Sequence, residues 1–253
     1  EDDNTYNALV PKQFGEALTA DHVVIANDEA ADKHGDKFAL IVLDKYSGIV
    51  MAYPAPHKDT ACTKAALQQF VAANDEVKHI YTDNSGELIK ACRQLGWRHD
   101  TSTPHRPQTN GLIERMVKIV ILGTRAVLHM SGLGHEWWKE AMQAFCCGRN
   151  FVAVSTGVAA QDPEHDGQTA HEVRFGESFR GKMIPFGAKI FWKCLNPDLN
   201  KQAHKYEAQT REGIFMGYHL HSGGVWSGDY LVVDSLTYGK HPDGDNCHVH
   251  RVK

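Results

Sequence analysis

The sequence of 253 residues has no long apolar run and no secretory signal. Its longest wholly apolar stretch, residues 38–43, is far too short to cross a bilayer, so we predict no membrane partner. The acidic first residues lack the apolar segment of a signal peptide, and no Met starts the sequence. We therefore expect an excised piece of an intracellular protein of the nucleus or cytoplasm, not a secreted one.

Cysteine patterns typical of disulfide frameworks and zinc sites are also missing. The six cysteines are scattered, and no two have the C-x-x-C spacing, which indicates a reducing compartment. Adjacent Cys146 and Cys147 fall in a helical pattern and are interpreted as buried thiols. Four residues near the end fit no standard zinc spacing and are interpreted as part of a tail: His241, Cys247, His248 and His250. The serine-hydrolase motif G-x-S-x-G does not occur.

Composition is that of a globular protein. Hydrophobic residues make up 42% and charged residues 23%, and the length allows one large domain or one medium and one small domain. The net charge of −4 argues mildly against a nucleic-acid partner. Acids clustered around a metal would mask local basic patches in that sum, so the charge does not exclude such a partner.

The first 154 residues alternate strand-like and helix-like patterns. After a leader at 1–14, three apolar runs joined by short links predict an antiparallel meander, at 17–26, 38–43 and 49–54. The following patterns predict, in order, helix, strand, helix, strand and two helices, at 59–71, 77–82, 87–95, 97–100, 112–130 and 136–151. These patterns alone predict an α/β domain with a mixed sheet over residues 15–154.

The remaining residues differ in composition. Residues 155–180 are rich in Gly, Asp, His and Thr and are interpreted as a linker. Short β-like runs punctuated by glycines predict a small β-rich module at 181–240, followed by a tail at 241–253.

Three acids stand at positions that suit a metal site. Asp83 follows a predicted strand, Glu114 opens a predicted helix, and Asp21 lies within the first apolar stretch. Carboxylates about 4 Å apart repel by roughly 4 kcal/mol at an effective dielectric constant of 20, so a cluster takes up protons or a cation such as Mg²⁺. Considered singly, Asp83 could also be a solvated acid in a turn, and Glu114 could be an acid that stabilises a helix N-terminus through the helix dipole. Asp28 is the alternative to Asp21, and Asp44 is interpreted as structural.

Two phrases of sequence carry a resemblance to a known family. They are Thr-Asp-Asn-Ser-Gly-Glu at 82–87 and Pro-Gln-Thr-Asn-Gly-Leu-Ile-Glu-Arg at 107–115. From about residue 15 to residue 234, the chain resembles the integrase region of Copia-type long-terminal-repeat retrotransposon polyproteins, in the retroviral integrase superfamily. The resemblance implies an RNase H-like three-layer fold with a five-stranded mixed sheet, followed by a small β-rich module.

The same resemblance implies a function. Members of this family are metal-dependent polynucleotidyl transferases and endonucleases that process element DNA ends and join them to target DNA. Asp21, Asp83 and Glu114 would be the catalytic residues and would bind two Mg²⁺ or Mn²⁺ ions. The expected partners are DNA, both element ends and target, and further copies of the chain.

Six residues near these acids are predicted to bind DNA. One adjoins the second acid, two precede the helix that carries the third acid, and the cations on that helix would meet phosphates. They are Asn84, Asn110, Gly111, Arg115, Lys118 and Arg125. The alternative for the cations is a solvated helix face.

Two other functions remain open. A catalytically silent nucleic-acid-binding remnant of a decayed element would fit the net negative charge and the lack of the family's zinc module, which we expect upstream of residue 1. An RNase H-type nuclease would share the fold, although the phrase at 107–115 is typical of integrases. The thirty residues between Asp83 and Glu114 are fewer than is usual in retroviral members, which implies a shortened loop.

Overall fold

The computed structural model describes residues 10–25, 35–101, 111–193 and 210–253. Its first sheet has five strands: β1 Leu18–Val24, β2 Phe38–Asp44, β3 Val50–Ala55, β4 Ile80–Thr82 and β5 His99–Thr101. Their order is β3-β2-β1-β4-β5, in which β1, β2 and β3 pair antiparallel while β4 pairs parallel with both β1 and β5. The predicted antiparallel meander and the mixed sheet are confirmed.

Helices cover both faces of this sheet. They are α1 Thr60–Phe70, α2 Gly86–Leu95, α3 Gly111–Ser131 and α4 Trp138–Val152. One face packs against α1 and α2 around Leu67 and Leu88, and the opposite face packs against α3 and α4 around Ile113 and Met142. This three-layer arrangement confirms the RNase H-like fold. No helix in the described ranges is both long and apolar enough to span a membrane.

Strand β2 shows why the sequence adopts this layered form. Its side chains alternate between the two faces, so Leu40 and Val42 join the cluster with α1 and α2, whereas Ile41 and Leu43 join the cluster with α3 and α4. A strand covered on both sides needs an unbroken apolar run rather than an alternating one. The run at 38–43 meets that need.

Helix α4 secures the edge strand β3. The buried Asn150 side chain accepts a hydrogen bond from the Val50 backbone N–H at 3.1 Å and donates one to the Val50 carbonyl at 2.8 Å. Strand β3 lies at the edge of the sheet, so no further strand can pair with its outward-facing backbone groups. The Asn150 side chain satisfies two of them. Cys146 and Cys147 of the same helix are buried free thiols, as predicted.

A second sheet of four antiparallel strands follows. It consists of β6 Lys189–Lys193, β7 Thr210–Leu220, β8 Trp226–Asp234 and β9 Val249–Val252, in that order, with helix α6 Ser235–Lys240 after β8. Phe215 and Tyr218 of β7 join the same buried cluster as α1 and α2. The β-rich prediction is confirmed, and residues 241–253 are corrected from a tail to a segment that supplies β9.

Residues 155–180, interpreted as a linker, have regular structure of their own. They contain two 3-10 turns, Val158–Gln161 and Pro163–His165, and helix α5 Ala170–Phe175. A capping box begins α5: Thr169 accepts from the backbone of Glu172, whose side chain accepts from the backbone of Thr169. Ala170 is fully buried in the core cluster. The segment therefore connects the two sheets and also covers the core.

Candidate active site

Asp21 lies in the middle of β1 and faces the α3 layer. Its partner across the sheet is Ile41, which belongs to the cluster packed against α3 and α4. Directly opposed residues on neighbouring strands point to the same face, so the Asp21 side chain lies on that side. The next residue, His22, points the other way and contacts the Thr63 hydroxyl of α1 through Nε2 at 3.0 Å. Asp28, the alternative first acid, lies outside the described residues.

Asp83 directly follows β4, at the level of Asp21. The parallel ladder pairs Leu18 with Ile80 and Ala20 with Thr82, so the same register continued by one residue places Asp21 beside Asp83. The Ser85 backbone N–H donates to Asp83 Oδ1 at 3.3 Å and helps to orient the carboxylate.

His99, which the sequence patterns do not single out, helps to position the turn at Asp83 through Thr82. The buried Thr82 hydroxyl donates to the Asp83 carbonyl at 2.8 Å, and His99 Nε2 lies 2.7 Å from that hydroxyl. Since the hydroxyl proton is committed to the carbonyl, His99 Nε2 is the donor in the second contact. His99 begins β5, and nothing in its sequence context indicates this role.

Glu114 lies in the first turn of α3 with an exposed side chain. The neighbouring buried positions Ile113, Met116 and Val120 fix the helix against the sheet. At 3.6 residues per turn, Glu114 then falls on the flank of α3 rather than on its buried side. The helix can therefore present this carboxylate at the sheet edge where Asp21 and Asp83 lie.

The pKa of Asp21 is raised by burial, and the nearby charges of the other two acids contribute to the shift. Burial, together with the negative charges of Asp83 and, more weakly, Glu114, raises the pKa of Asp21 from 3.8 to about 6, while the backbone N–H of His22 and the positive charge of Lys58 act in the opposite direction. Lys58 was not predicted from the sequence, because it lies in the polar connection between β3 and α1. The three elements thus bring three carboxylates into one electrostatic field.

These carboxylates do not form one tight ligand cluster. Among the described residues, the one group of three potential ligands whose ligand atoms all lie within 4.8 Å of one another consists of His219, His221 and Asp229. At least one pair among the carboxylates of Asp21, Asp83 and Glu114 therefore lies farther apart than that distance. Asp44 takes no part in the group: it is buried and accepts from the backbone N–H groups of Gly15 and Ser47, which agrees with its structural interpretation.

The predicted DNA-binding residues fall into two groups. Asn84 is exposed directly after Asp83, and a Cβ added to Gly111 would meet nothing within 4 Å, so this glycine serves no packing need within the described chain. Asn110 lies outside the described residues. The second group is the three cations of α3, all of them exposed: Arg115, Lys118 and Arg125.

The three cations are not equivalent with respect to Glu114. An α-helix turns by about 100° per residue, so Lys118 and Arg125 lie within roughly 40° of Glu114 around the helix, whereas Arg115 lies about 100° away. Lys118 and Arg125 therefore extend the flank of α3 that carries the third acid. Arg115 points more directly away from the sheet.

The raised pKa of Asp21 predicts a pH-dependent stability. The folded protein holds this proton more tightly than the unfolded chain, so the stabilisation is complete below pH 3.8 and is lost as the pH rises through about 6. In metal-free buffer, Asp21→Asn should become progressively more stable than wild type over this window, by at most ~3 kcal/mol. Urea unfolding measured from pH 4 to pH 7 checks this.

Asp166→Asn removes an exposed carboxylate outside the group and serves as the control for net charge. It should follow the wild-type pH profile. Superimposable profiles for wild type and Asp21→Asn would show that burial and the neighbouring acids do not raise the pKa of Asp21.

Comparison with known proteins supports the sequence resemblance, although no family model matches the chain. The chain is 30% identical over 194 residues to the retrovirus-related Pol polyprotein from transposon TNT 1-94 of Nicotiana tabacum, covering 73% of this chain and 14% of that protein. It is 26% identical over 192 residues to the corresponding polyprotein from transposon RE2 of Arabidopsis thaliana, covering 73% and 12%. The chain thus spans only a small part of these curated relatives.

Solved structures give a weaker similarity. A simian T-cell lymphotropic virus intasome in complex with the PP2A regulatory subunit B56 gamma matches with a TM-score of 0.49 and 18% identity, over 87% of this chain and 72% of that one. The HTLV-2 integrase catalytic core domain in complex with magnesium matches with a TM-score of 0.47 and 18% identity, over 64% and 98%. The similarity to the plant polyproteins confirms the resemblance to retrotransposon Pol polyproteins that the two motifs predict.

Proposed function

We propose that this chain is the catalytic part of an integrase, a polynucleotidyl transferase that processes element DNA ends and joins them to target DNA. The observation that carries the proposal is the convergence of Asp21, Asp83 and Glu114 from a central strand, a neighbouring parallel strand and a helix start. Acids drawn from three separate elements to one sheet edge cost stability unless a ligand offsets their repulsion. Their placement therefore indicates a function rather than a structural need.

The donor set fits Mg²⁺ or Mn²⁺. All three side chains supply carboxylate oxygens, which such hard cations prefer. A bound cation would offset the burial and the neighbouring negative charges that raise the pKa of Asp21. Two ions are proposed, because sites that perform phosphoryl transfer hold two such ions about 3.5–4 Å apart between their carboxylates. Asp21, Asp83 and Glu114 are the residues that would hold them.

The chemistry proposed is an in-line displacement at a DNA phosphate. When bound, two such ions supply activation of the attacking oxygen and stabilisation of the leaving one. Asp21 contributes its carboxylate only when deprotonated, so its raised pKa makes this step sensitive to pH below about 6. The attacking oxygen would come from water when a DNA end is trimmed and from a DNA 3′-hydroxyl when ends are joined. His99, through Thr82, holds the turn that presents Asp83.

DNA would approach along the flank of α3. Lys118, about one turn beyond Glu114, and Arg125, about three turns beyond it, would meet successive phosphates along this flank. Such contacts contribute affinity that does not depend on sequence. Asn84 and Gly111 would contact DNA close to the acids. A second copy of the chain is the other partner that we propose, and the exposed apolar side chains of Leu122 and Met130 on α3 offer it a surface.

Glu114→Gln should separate catalysis from DNA binding. The substitution keeps the size of the side chain and removes the charge that would hold a cation, so Mg²⁺-dependent DNA cleavage and joining should fall by at least about a hundredfold. DNA affinity should stay the same or rise slightly, because one negative charge near the phosphates is lost. A strand-transfer assay on labelled DNA ends, with and without the zinc module of a related polyprotein, measures the first effect, and fluorescence anisotropy measures the second.

Glu164→Gln, an exposed change outside the group, is the matched control and should keep full activity. Undiminished Mg²⁺-dependent activity of Glu114→Gln would overturn the proposed mechanism. Wild type that binds DNA but performs no chemistry, even with the zinc module added, would establish the silent-remnant alternative.

Lys118→Ala should weaken DNA binding without abolishing chemistry. Each phosphate contact that is lost lowers the slope of log affinity against log salt by roughly 0.9 for duplex DNA. Binding measured over a series of salt concentrations should therefore show a shallower slope for Lys118→Ala, and a smaller change for Arg115→Ala. Lys90→Ala removes an exposed cation from α2, on the opposite side of the sheet, and should leave the slope unchanged. Equal slopes for all variants would place the DNA elsewhere.

A further inference from the structure

A second group of potential metal ligands lies in the second sheet, apart from the three acids. His219 is on β7, His221 directly follows β7, and Asp229 is on β8. One potential ligand atom from each of the three lies within 4.8 Å of those from the other two. The two histidines stand two residues apart and so project from the same side of an extended backbone. Their rings are nearly perpendicular, with centroids 5.1 Å apart.

A β-bulge turns Asp229 toward the histidines. The ladder pairs Tyr218 with Tyr230 and Leu220 with Trp226, so one residue of β7 faces three residues of β8 between these pairs. Gly228 lies in that stretch with φ +97°, a conformation that a residue with a side chain rarely adopts. Bulges of this kind redirect a neighbouring side chain. Here the redirected carboxylate is almost wholly buried beside the two rings.

The hydrogen bonds around the group leave ligand atoms open. The Ser227 hydroxyl donates to Asp229 Oδ2 at 3.0 Å, so it accepts from His221 Nε2, 2.9 Å away. The Nδ1 lone pair of His221 is then unprotonated. Nδ1 of His219 is buried and has no hydrogen-bond partner in another described residue. Arg251 also donates to Oδ2 of Asp229, through Nε at 2.7 Å, which leaves Oδ1 as the second oxygen of that carboxylate.

This arrangement has the parts of a transition-metal site. Two imidazole nitrogens and one carboxylate oxygen suit Zn²⁺ and similar ions, whereas Mg²⁺ prefers oxygens alone. Ligands are normally held by hydrogen bonds from surrounding groups, as Ser227 and Arg251 hold Asp229 and Ser227 holds His221. The exposed side of His221 leaves room for a water ligand. The positive charge of Arg251 opposes a cation, so moderate rather than very tight binding is expected.

We propose that His219, His221 and Asp229 bind a divalent transition-metal ion, such as Zn²⁺, at a site separate from the three acids of the first sheet. The ion would join β7 to β8 at the end of their hairpin. That end contacts the chain just after α1, because a Cβ added to Gly223 would lie 2.6 Å from the Cβ of Ala72. Holding the two strands together would therefore stabilise the docking of the second sheet on the first.

The test is zinc binding by the untagged full chain. Isothermal titration with ZnCl₂ in excess Mg²⁺, which fills oxygen sites but competes weakly for imidazole, should show one site per chain. His221→Ala should weaken that binding by at least about tenfold while the exposed position leaves the fold intact, as circular dichroism checks. Zinc should also raise the melting temperature of wild type more than that of His221→Ala.

His248→Ala is the matched control, since His248 is an exposed histidine just before β9 and belongs to the tail residues considered as zinc ligands from the sequence. It should bind zinc as wild type does. Absence of zinc binding by wild type, loss of it in His248→Ala but not in His221→Ala, or loss of it in Asp83→Asn would each overturn the proposal. Strand transfer is measured separately. A negative zinc titration therefore leaves the integrase proposal unaffected, and a negative strand-transfer assay leaves the proposed zinc site unaffected.

Discussion

The parallel pairing of β1 with β4 is the constraint on which the proposed site depends. Its register carries Asp21 of β1 to the level of Asp83, which directly follows β4. Helices α3 and α4 pack on the face of the sheet to which Asp21 points, and this packing fixes the first turn of α3, which carries Glu114. A shift of β4 by one residue would turn its side chains to the opposite faces and separate the first two acids. Apolar packing thus holds together charges that would otherwise move apart.

This opposition between packing and repulsion links stability to function. The buried clusters on both faces fix the elements, and the raised pKa of Asp21 is the consequence for the acids that they carry. In the proposed function, a bound cation would relieve the repulsion among these acids. The positive charge of Lys58 acts against this repulsion, because it lowers the pKa of Asp21.

Much of the first sheet follows from its sequence, because its signals are local. The unbroken apolar run of β2 appears where the pattern indicates, and α1 begins close to its predicted start, where the Asp59 side chain caps it by accepting from the Cys62 N–H. The second sheet is different. Strand β9 depends on pairing with β8, and α5 depends on packing against the core, so composition alone indicates a tail and a linker in their places. Long-range contacts decide such segments.

The acids show the same division between local and long-range information. Asp83 and Glu114 stand in distinctive phrases, whereas the contacts of His99, Lys58 and the His219 group arise only when distant elements meet. No spacing in the sequence joins β5 to the turn at Asp83, or β7 to the bulge in β8. Residues that support a site from a second element are therefore the part that sequence patterns do not predict.

Crystals grown with MnCl₂ would test the central claim most directly, because the anomalous signal of manganese locates bound ions without reference to activity. The account predicts two manganese peaks, held by carboxylate oxygens of Asp21, Asp83 and Glu114, and their loss in crystals of Asp83→Asn. Manganese bound only elsewhere on the chain, or a site that does not include Asp21, would contradict it.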